Sequence, residues 1–368
     1  MAIIAVFAYG VGVGHYRWPP YEQLKHLYVI MSASHVSDTN RSYMGEEELL
    51  QYAFTEPAID GEKLLPAIST LSGIYRANQS IFTDVKNFNT AYKKLILLSM
   101  NSLSFDGGKT KIMQVRFALY GKEYNAYAYW LRNIDCGQGK TAALIIPGSG
   151  NNQSHAIYTR DPKNYHEGII DALEKSAVDV FVFIKPNEDI IAFHDGKKKL
   201  NNNFIVNYQL NRGSSYSACY IVQSLAITKY LKSCYGKTII AGVSQGGSAA
   251  LLNALQSEPD IAIVASGYSM INGKAEWSGD LNQIIIPGSY ARWTDITKLT
   301  SKISKTRTHY LFTWGKQETG LYKIEAEEQR SCKKLTDLPN VRCTIHNGGH
   351  IFPVEEIRAF LIEEQGQK

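Results

Sequence analysis

The chain has 368 residues, and its 39 Lys and Arg against 34 Asp and Glu give a formal net charge of +5. Hydrophobic residues make up 44% and charged residues 20%, which is typical of a globular protein and excludes wholesale disorder. The densest basic cluster is the run KKK at residues 197–199, and the sequence contains no basic face interleaved with aromatic residues. We therefore expect no nucleic-acid partner.

The N-terminus is strongly apolar. Residues 2–14, AIIAVFAYGVGVG, carry no charge, and HYRWPPY follows them. This run is shorter than the roughly 20 residues that a helix needs to cross a bilayer, but Tyr16 and Trp18 lie where an interfacial aromatic belt would be. We predict a signal anchor over residues 1–19, which makes the protein membrane-anchored and facing an extracytoplasmic compartment, or secreted. The alternative is a buried N-terminal strand or helix in a cytoplasmic protein.

Residues 20–110 are predicted to form an N-terminal helical extension. Its helical patterns include EEELLQYAF and NTAYKKLILLSM, which polar turns separate. The pattern changes near residue 111, where KIMQVRFALYGKEYNAYAYWLRN alternates apolar and polar residues on both sides of Tyr120, Gly121 and Lys122. This alternation predicts an antiparallel hairpin with its turn at the glycine.

From residue 140 onward, strand-like and helix-like segments alternate. The predicted strands are TAALIIPG, VDVFVFIKP, KTIIAGV, IAIVASGY, HYLFTWG and NVRCTIH. The predicted helices are YHEGIIDALEKS, SSYSACYIVQSLAITKYLKS, SAALLNALQS, IEAEEQRSCKKL and VEEIRAFLIEE. Short connections between them predict an α/β domain over residues 111–368, with a mostly parallel twisted sheet, helices on both faces and the hairpin at its edge. Residues 269–299, with Trp277, Tyr290 and Trp293, are placed to form a cap insertion, or to pack beneath a loop.

The cysteines and histidines do not have metal-site spacing. The five cysteines form no CxxC pair, and His346 and His350 are not part of an HExxH helix, so we expect no metal. Cys332 and Cys343 lie on consecutive predicted elements and are placed to form a disulfide in an oxidising compartment.

The stretch Gly242-Val243-Ser244-Gln245-Gly246 matches the pattern G-x-S-x-G between a predicted strand and a predicted helix. The chain has to turn so sharply there that the serine side chain projects from the end of the sheet. Side chains two residues before and two residues after the serine would collide with the turn, which explains the two glycines. We therefore predict that Ser244 is a nucleophile.

A serine hydroxyl needs a base to accept its proton. His350 lies in NGGHIF, on the loop between the last predicted strand and the last predicted helix, where a Gly-Gly loop can bring it back over Ser244. His346 ends that strand and is the second candidate. We predict His350 as the base.

The third catalytic residue is expected to follow the penultimate strand, where a carboxylate can fix the imidazole tautomer and stabilise its cation. Glu318 lies in this place, three residues after the end of HYLFTWG. Glu276 and Asp280 are possible substitutes, and Glu325 and Glu327 fall on the helix beyond, where we expect them to be solvated. An oxyanion further requires backbone N–H donors. We predict these from Gln245 and from the loop after TAALIIPG, at Gly148, Ser149, Gly150 and Asn151.

With these motifs, residues 111–365 resemble the α/β-hydrolase superfamily, with nucleophile, acid and base in its chain order. The resemblance implies a sheet of about eight strands and acyl transfer without a cofactor. The PGSG loop takes the place of the HGGG-type oxyanion motif of lipases but lacks its histidine.

The predicted function is a serine hydrolase, foremost a carboxylic-ester hydrolase that works through an acyl-enzyme with a Ser-His-Glu triad. Its substrate would be a small-molecule or polymer-linked ester, and residues 1–19 would associate it with a membrane. Two alternatives remain open. One is a serine peptidase or amidase on the same fold, and the other is an inactive, membrane-anchored binding protein.

Overall fold

The computed structural model describes residues 91–105, 110–119, 122–131, 136–174, 178–186, 188, 216–267, 296–319 and 330–366. The predicted anchor at residues 1–19, most of the predicted N-terminal extension and nearly all of the predicted cap lie outside these ranges. Within them, no helix is both long enough and apolar enough to cross a membrane.

The described residues form one mixed sheet of nine strands. These are β1 (Ile96–Phe105), β2 (Thr110–Leu119), β3 (Lys122–Trp130), β4 (Gly137–Ile146), β5 (Val178–Ile184), β6 (Tyr235–Val243), β7 (Ile261–Ala265), β8 (His309–Gly315) and β9 (Val341–His346). Their order across the sheet is β1-β2-β3-β5-β4-β6-β7-β8-β9. The pairs β1/β2, β2/β3 and β3/β5 are antiparallel, and the pairs from β5/β4 through β8/β9 are parallel. This confirms the mostly parallel sheet.

The helices lie between and after the strands of the parallel part. They are α1 (Gln153–Tyr158), α2 (Ile169–Glu174), α3 (Tyr216–Cys234), α4 (Gln245–Ser257), α5 (Ile296–Ile303), α6 (Arg330–Leu335) and α7 (Val354–Gly366). The helix predicted for YHEGIIDALEKS is shorter than expected. Residues 162–168 form turns, and in the described part of this segment only α2 is helical.

Helices cover both faces of the sheet. Successive residues of β6 point to opposite faces, as expected for a strand, so Ile239 and Ala241 join one apolar cluster while Ile240 joins another. The cluster around Ile240 contains side chains of α3 and α4, whereas the cluster around Ile239 contains side chains of α1, α2 and α7. The core therefore consists of two apolar layers with the sheet between them.

The predicted hairpin is confirmed, since β2 and β3 pair from Ile112 opposite Tyr129 to Leu119 opposite Lys122. The helix predicted for NTAYKKLILLSM is wrong in its second half. Residues 91–94 are helical, but β1 begins at Ile96 and pairs with β2 as far as Phe105. A short apolar run such as LILL suits a helix and a strand equally, and pairing with β2 decides between them. The sheet thus begins inside the segment predicted as a helical extension.

Two disulfides link the described elements. Cys332 of α6 bonds to Cys343 of β9, which is the pairing that their positions on consecutive elements allow. Cys136, just before β4, bonds to Cys234 at the end of α3. The remaining cysteine, Cys219, is a buried thiol.

Parallel strands end at the same edge of a sheet, and ligands of open α/β sheets bind outside this edge. The segments after β4, β6, β7, β8 and β9 therefore begin close to one another. They carry, in that order, the PGSG loop, Ser244, Ser266, Glu318 and His350.

Candidate active site

Ser244 lies at the sharp turn between β6 and α4. Its backbone has φ 60° and ψ −128°, which a residue with a side chain rarely adopts and which costs on the order of 1–3 kcal/mol. Its N–H donates to the carbonyl of Ala265 in β7 at 2.9 Å, and its carbonyl accepts from the N–H of Ser248 at 3.1 Å. The neighbouring strand and the first turn of α4 thus hold the strained turn.

The two glycines flanking Ser244 are required by close approach of backbones. A Cβ on Gly242 would lie 2.1 Å from the carbonyl oxygen of Gly246, on the other side of the turn. A Cβ on Gly246 would lie 2.0 Å from the carbonyl oxygen of Ile146 at the end of β4. The structure thereby confirms the collision within the turn and adds a second contact, between the turn and the strand that precedes the PGSG loop.

Glu318 and His350 are brought together as the sequence predicts. His350 Nδ1 lies 2.8 Å from Glu318 Oε2. An ionised carboxylate only accepts hydrogen bonds, so Nδ1 carries the proton and leaves Nε2 as the basic nitrogen. The Glu318 side chain is 0% exposed and that of His350 is 31% exposed. The pair therefore consists of a buried acceptor and an imidazole that reaches the surface of the site.

Ser266, directly after β7, connects this pair to the strand that holds Ser244. Its hydroxyl donates to Glu318 Oε1, and its N–H donates to the carbonyl of Thr313 in β8 at 2.8 Å. Because Ala265, which accepts the N–H of Ser244, is the preceding residue, one short segment contacts both the nucleophile turn and the carboxylate. Sequence reasoning missed Ser266, whose signal is its place at the end of IAIVAS.

Ser244 Oγ and His350, both in the described part of the chain, share no direct hydrogen bond. The backbone contacts at Ser266 place the two residues on neighbouring loops at the same edge of the sheet.

The second candidate base, His346, is turned away from this role. It is 5% exposed, its Nδ1 accepts the N–H of Gly348 at 3.1 Å, and burial lowers its pKa. His346 therefore packs within the structure at the end of β9. The other acidic candidates, Glu276, Asp280, Glu325 and Glu327, lie outside the described residues.

The predicted oxyanion donors lie in the turn between β6 and α4 and in the loop after β4. Gln245 is the first residue of α4, directly after Ser244. Gly148 requires a correction, because its N–H donates to His166 Nε2 at 2.8 Å and is not available to a substrate. Ser149, Gly150 and Asn151 continue the loop, and the carbonyl of Ser149 accepts the hydroxyl of Tyr165 at 3.1 Å.

Three residues around this loop were not singled out from the sequence: Tyr165, His166 and Lys185. The Tyr165 ring lies 5.8 Å from the His350 ring, centroid to centroid, so it connects the loop to the candidate base. His166 is 2% exposed, and burial, with the positive charges of Lys185 and His350, lowers its pKa to about 3. It is therefore neutral at pH 7, with Nε2 accepting from Gly148 and Nδ1 facing Asn164 Oδ1.

These observations settle the fold type. A strained serine lies between the central strand β6 and helix α4, and an acidic residue and a histidine follow β8 and β9 of a mostly parallel sheet. The chain has an α/β-hydrolase-type fold.

No protein-family model and no curated protein matches the sequence. Among solved structures, a glucuronoyl esterase of carbohydrate esterase family 15 from Caldicellulosiruptor kristjansonii is 14% identical, with a TM-score of 0.47 over 82% of this chain and 88% of its own. Acetyl xylan esterase 1 from Thermoanaerobacterium sp. is 13% identical, with a TM-score of 0.42 over 86% of this chain and 98% of its own. An esterase from Pyrococcus furiosus is 14% identical, with a TM-score of 0.40 over 72% and 90%. At these identities and TM-scores the similarity transfers no activity.

Proposed function

We propose that the protein is a serine hydrolase, and specifically a carboxylic-ester hydrolase. The observation that supports this most is the hydrogen bond from His350 to the buried Glu318 carboxylate, at the same sheet edge as the strained Ser244. Each residue follows a different strand, so three separate loops supply a nucleophile, a base and a carboxylate. Burying a carboxylate costs free energy, and a catalytic role for Glu318 accounts for its burial beside His350.

In the first half of the reaction, Ser244 Oγ attacks the ester carbonyl while His350 Nε2 accepts its proton. The negative charge that develops on the carbonyl oxygen is stabilised by the N–H of Gln245 and by an N–H of the loop after β4. Because the N–H of Gly148 is engaged by His166, we assign the loop donor to Ser149. The tetrahedral intermediate collapses as His350 gives its proton to the departing alcohol oxygen.

In the second half, the acyl group is an ester of Ser244. His350 accepts a proton from a water molecule, the water oxygen attacks the acyl carbon, and the proton then returns to Ser244 Oγ as the acid leaves. Glu318 holds the imidazole in the Nδ1–H tautomer throughout and stabilises the cation that forms in both halves. The Ser266 hydroxyl, bound to the other oxygen of this carboxylate, keeps it oriented toward His350.

A small-molecule or polymer-linked ester is the proposed substrate, and the location is proposed to be an oxidising, extracytoplasmic compartment. The support for the location is the pair of disulfides, Cys136–Cys234 and Cys332–Cys343, since such bonds persist mainly in oxidising compartments. Fractionation of expressing cells, with intact mass measured without reductant, tests this. A fully reduced protein in the cytosolic fraction would contradict it.

Hydrolysis assays with p-nitrophenyl esters of increasing acyl length and with aminoacyl anilides test the proposed reaction. We expect ester turnover by the wild-type protein and a loss of at least about 10⁴-fold in kcat for Ser244→Ala. Turnover of anilides at a similar kcat/KM would favour a peptidase. Folded wild-type protein that hydrolyses neither class would favour a binding protein.

A further inference from the structure

Lys185 is a buried cation at the edge of the candidate site. It follows β5 directly, it is 0% exposed, and its Nζ donates to the carbonyl of Gly148 and, at 2.8 Å, to that of Gly150. Burial lowers its pKa to about 8, and the nearby carboxylate of Glu188 opposes this shift. The ammonium is thus mostly charged at pH 7. Because burying a charge costs free energy, we expect the ammonium of Lys185 to have a specific role at this position.

The contacts of Lys185 fix the orientation of backbone amides. A peptide unit is planar and trans, so its C=O and its N–H point in opposite directions. Because the carbonyl of Gly148 is held by Lys185, the N–H of Ser149, in the same peptide unit, is directed to the opposite side of the loop. The bond from Lys185 to the Gly150 carbonyl orients the Gly150–Asn151 peptide unit in the same way.

Two other side chains hold the unit before these and the unit between them. The N–H of Gly148 donates to His166, and the carbonyl of Ser149 accepts from Tyr165. Together with the two Lys185 bonds, each of the four consecutive peptide units from Pro147 to Asn151 has one group fixed. In the part of the chain that the structure describes, the N–H of Ser149 donates no hydrogen bond.

The start of this loop also touches the nucleophile turn. A Cβ on Gly246, two residues after Ser244, would lie 2.0 Å from the Ile146 carbonyl oxygen and 2.7 Å from backbone atoms of Pro147. The Ser149 N–H is therefore oriented within a loop that borders the turn between β6 and α4.

We propose that Lys185 is a positioning residue, which directs the Ser149 N–H toward the oxyanion that forms when Ser244 attacks an ester. The proposal rests on the proposed function. Lys185 touches no substrate in it and acts through the Gly148–Ser149 peptide. Its ammonium also polarises that peptide, which makes the Ser149 N–H a better donor for a negative oxygen. His166 is neutral beside it, and Glu188 is the acidic group that faces it.

The test compares Lys185→Met, which removes the donor and the charge, with Lys185→Gln, which keeps a neutral donor. Lys163→Met is the matched control, because Lys163 is an exposed lysine between α1 and α2 whose backbone N–H donates to Asp161. On a p-nitrophenyl ester we expect kcat to fall by about 10- to 100-fold for Lys185→Met, with KM changed less than about threefold. Lys185→Gln should lie between it and the wild type, and Lys163→Met should equal the wild type.

Thermal unfolding of each variant separates orientation from folding. A folded Lys185→Met protein with wild-type kcat overturns the proposal, and so does a loss that appears only as a raised KM. If Lys185→Met does not fold, Tyr165→Phe takes its place, since it removes only the hydroxyl that holds the Ser149 carbonyl. We expect kcat to fall severalfold in that variant, and an unchanged kcat would refute the proposal.

The two proposals fail differently. If the wild type hydrolyses no ester and reacts with no serine-directed probe, the proposed function fails and this inference with it. If the wild type is active and Ser244→Ala is inactive, while the Lys185 and Tyr165 variants match the wild type, the inference alone fails.

Discussion

At the scale of single residues, the proposed function gives the carboxylate of Glu318 the task of orienting His350. It accepts from His350 Nδ1 on one oxygen and from the Ser266 hydroxyl on the other, and its side chain is completely buried. An amide at this position would present N–H groups toward Nδ1 and favour the wrong tautomer of the imidazole.

Glu318→Gln is therefore expected to lower kcat by about 10³- to 10⁴-fold, with little change in KM. Glu363→Gln is the control, because Glu363 is 57% exposed and its ion pair with Arg342 lies on the surface. Steady-state kinetics on one p-nitrophenyl ester measures both. Near-normal kcat in Glu318→Gln would show that the carboxylate does not orient the base.

The sequence predicts Ser244, Glu318 and His350 because each lies within four residues after a predicted strand, and because glycines shape the loops of Ser244 and His350. It does not predict Lys185 or Tyr165. Nothing in the run FIKP distinguishes a buried lysine from a solvated one, and its partners, Gly148 and Gly150, lie 37 and 35 residues away in the chain. Such residues are identified by long-range contacts, which one sequence does not contain.

At the scale of elements, the turn between β6 and α4 depends on the space that Gly246 leaves for β4. Its Cα faces the carbonyl oxygen of Ile146, a backbone atom that cannot rotate away. An added methyl group would have to push the turn and the strand apart, in the middle of the sheet.

Gly246→Ala is expected to destabilise the fold by about 3 kcal/mol or more, at the upper end of overpacking effects. Gly139→Ala is the control, since Gly139 lies near the other end of β4 and a Cβ there meets nothing within 4 Å. Urea denaturation followed by circular dichroism compares the two variants. Equal midpoints would contradict the close approach.

The elements of the parallel part are predictable because strands buried on both faces read as continuous apolar runs. TAALII, FVFI and TIIAGV become β4, β5 and β6 on this basis. β1 is not predictable in the same way. Its first residues are an apolar run at the edge of the sheet, with Ile96 62% and Leu98 43% exposed, and pairing with β2 rather than an internal pattern makes it a strand.

At the scale of the whole molecule, buried histidines couple stability to pH. The pKa of His166 is lowered to about 3 in the folded chain, against an ordinary value of 6.5. His166 therefore takes up a proton below about pH 6.5 in the unfolded chain, but only below about pH 3 in the folded chain. This stabilisation is fully present above pH 6.5 and is lost as the pH falls through that window. His346, whose pKa is also lowered by burial, acts in the same direction.

Between pH 7 and pH 4.5, we expect the wild type to lose about 2–3 kcal/mol more unfolding free energy than His166→Gln, as an upper estimate. The glutamine carbonyl can accept from Gly148 in place of Nε2, but it does not titrate. Denaturant titrations of both proteins at both pH values measure the unfolding free energies from which this difference is calculated. The same acid sensitivity in both proteins would refute the assignment of His166 as neutral in the fold.

The central claim is that Ser244 is the nucleophile, and covalent labelling tests it most directly. Folded protein is treated with a fluorophosphonate, digested, and mapped by mass spectrometry, in parallel with Ser244→Ala and His350→Ala. We predict a single adduct on Ser244 in the wild type, none in Ser244→Ala, and labelling slowed by at least about 100-fold in His350→Ala. An adduct on any other residue, or folded wild-type protein that remains unlabelled, would contradict the account.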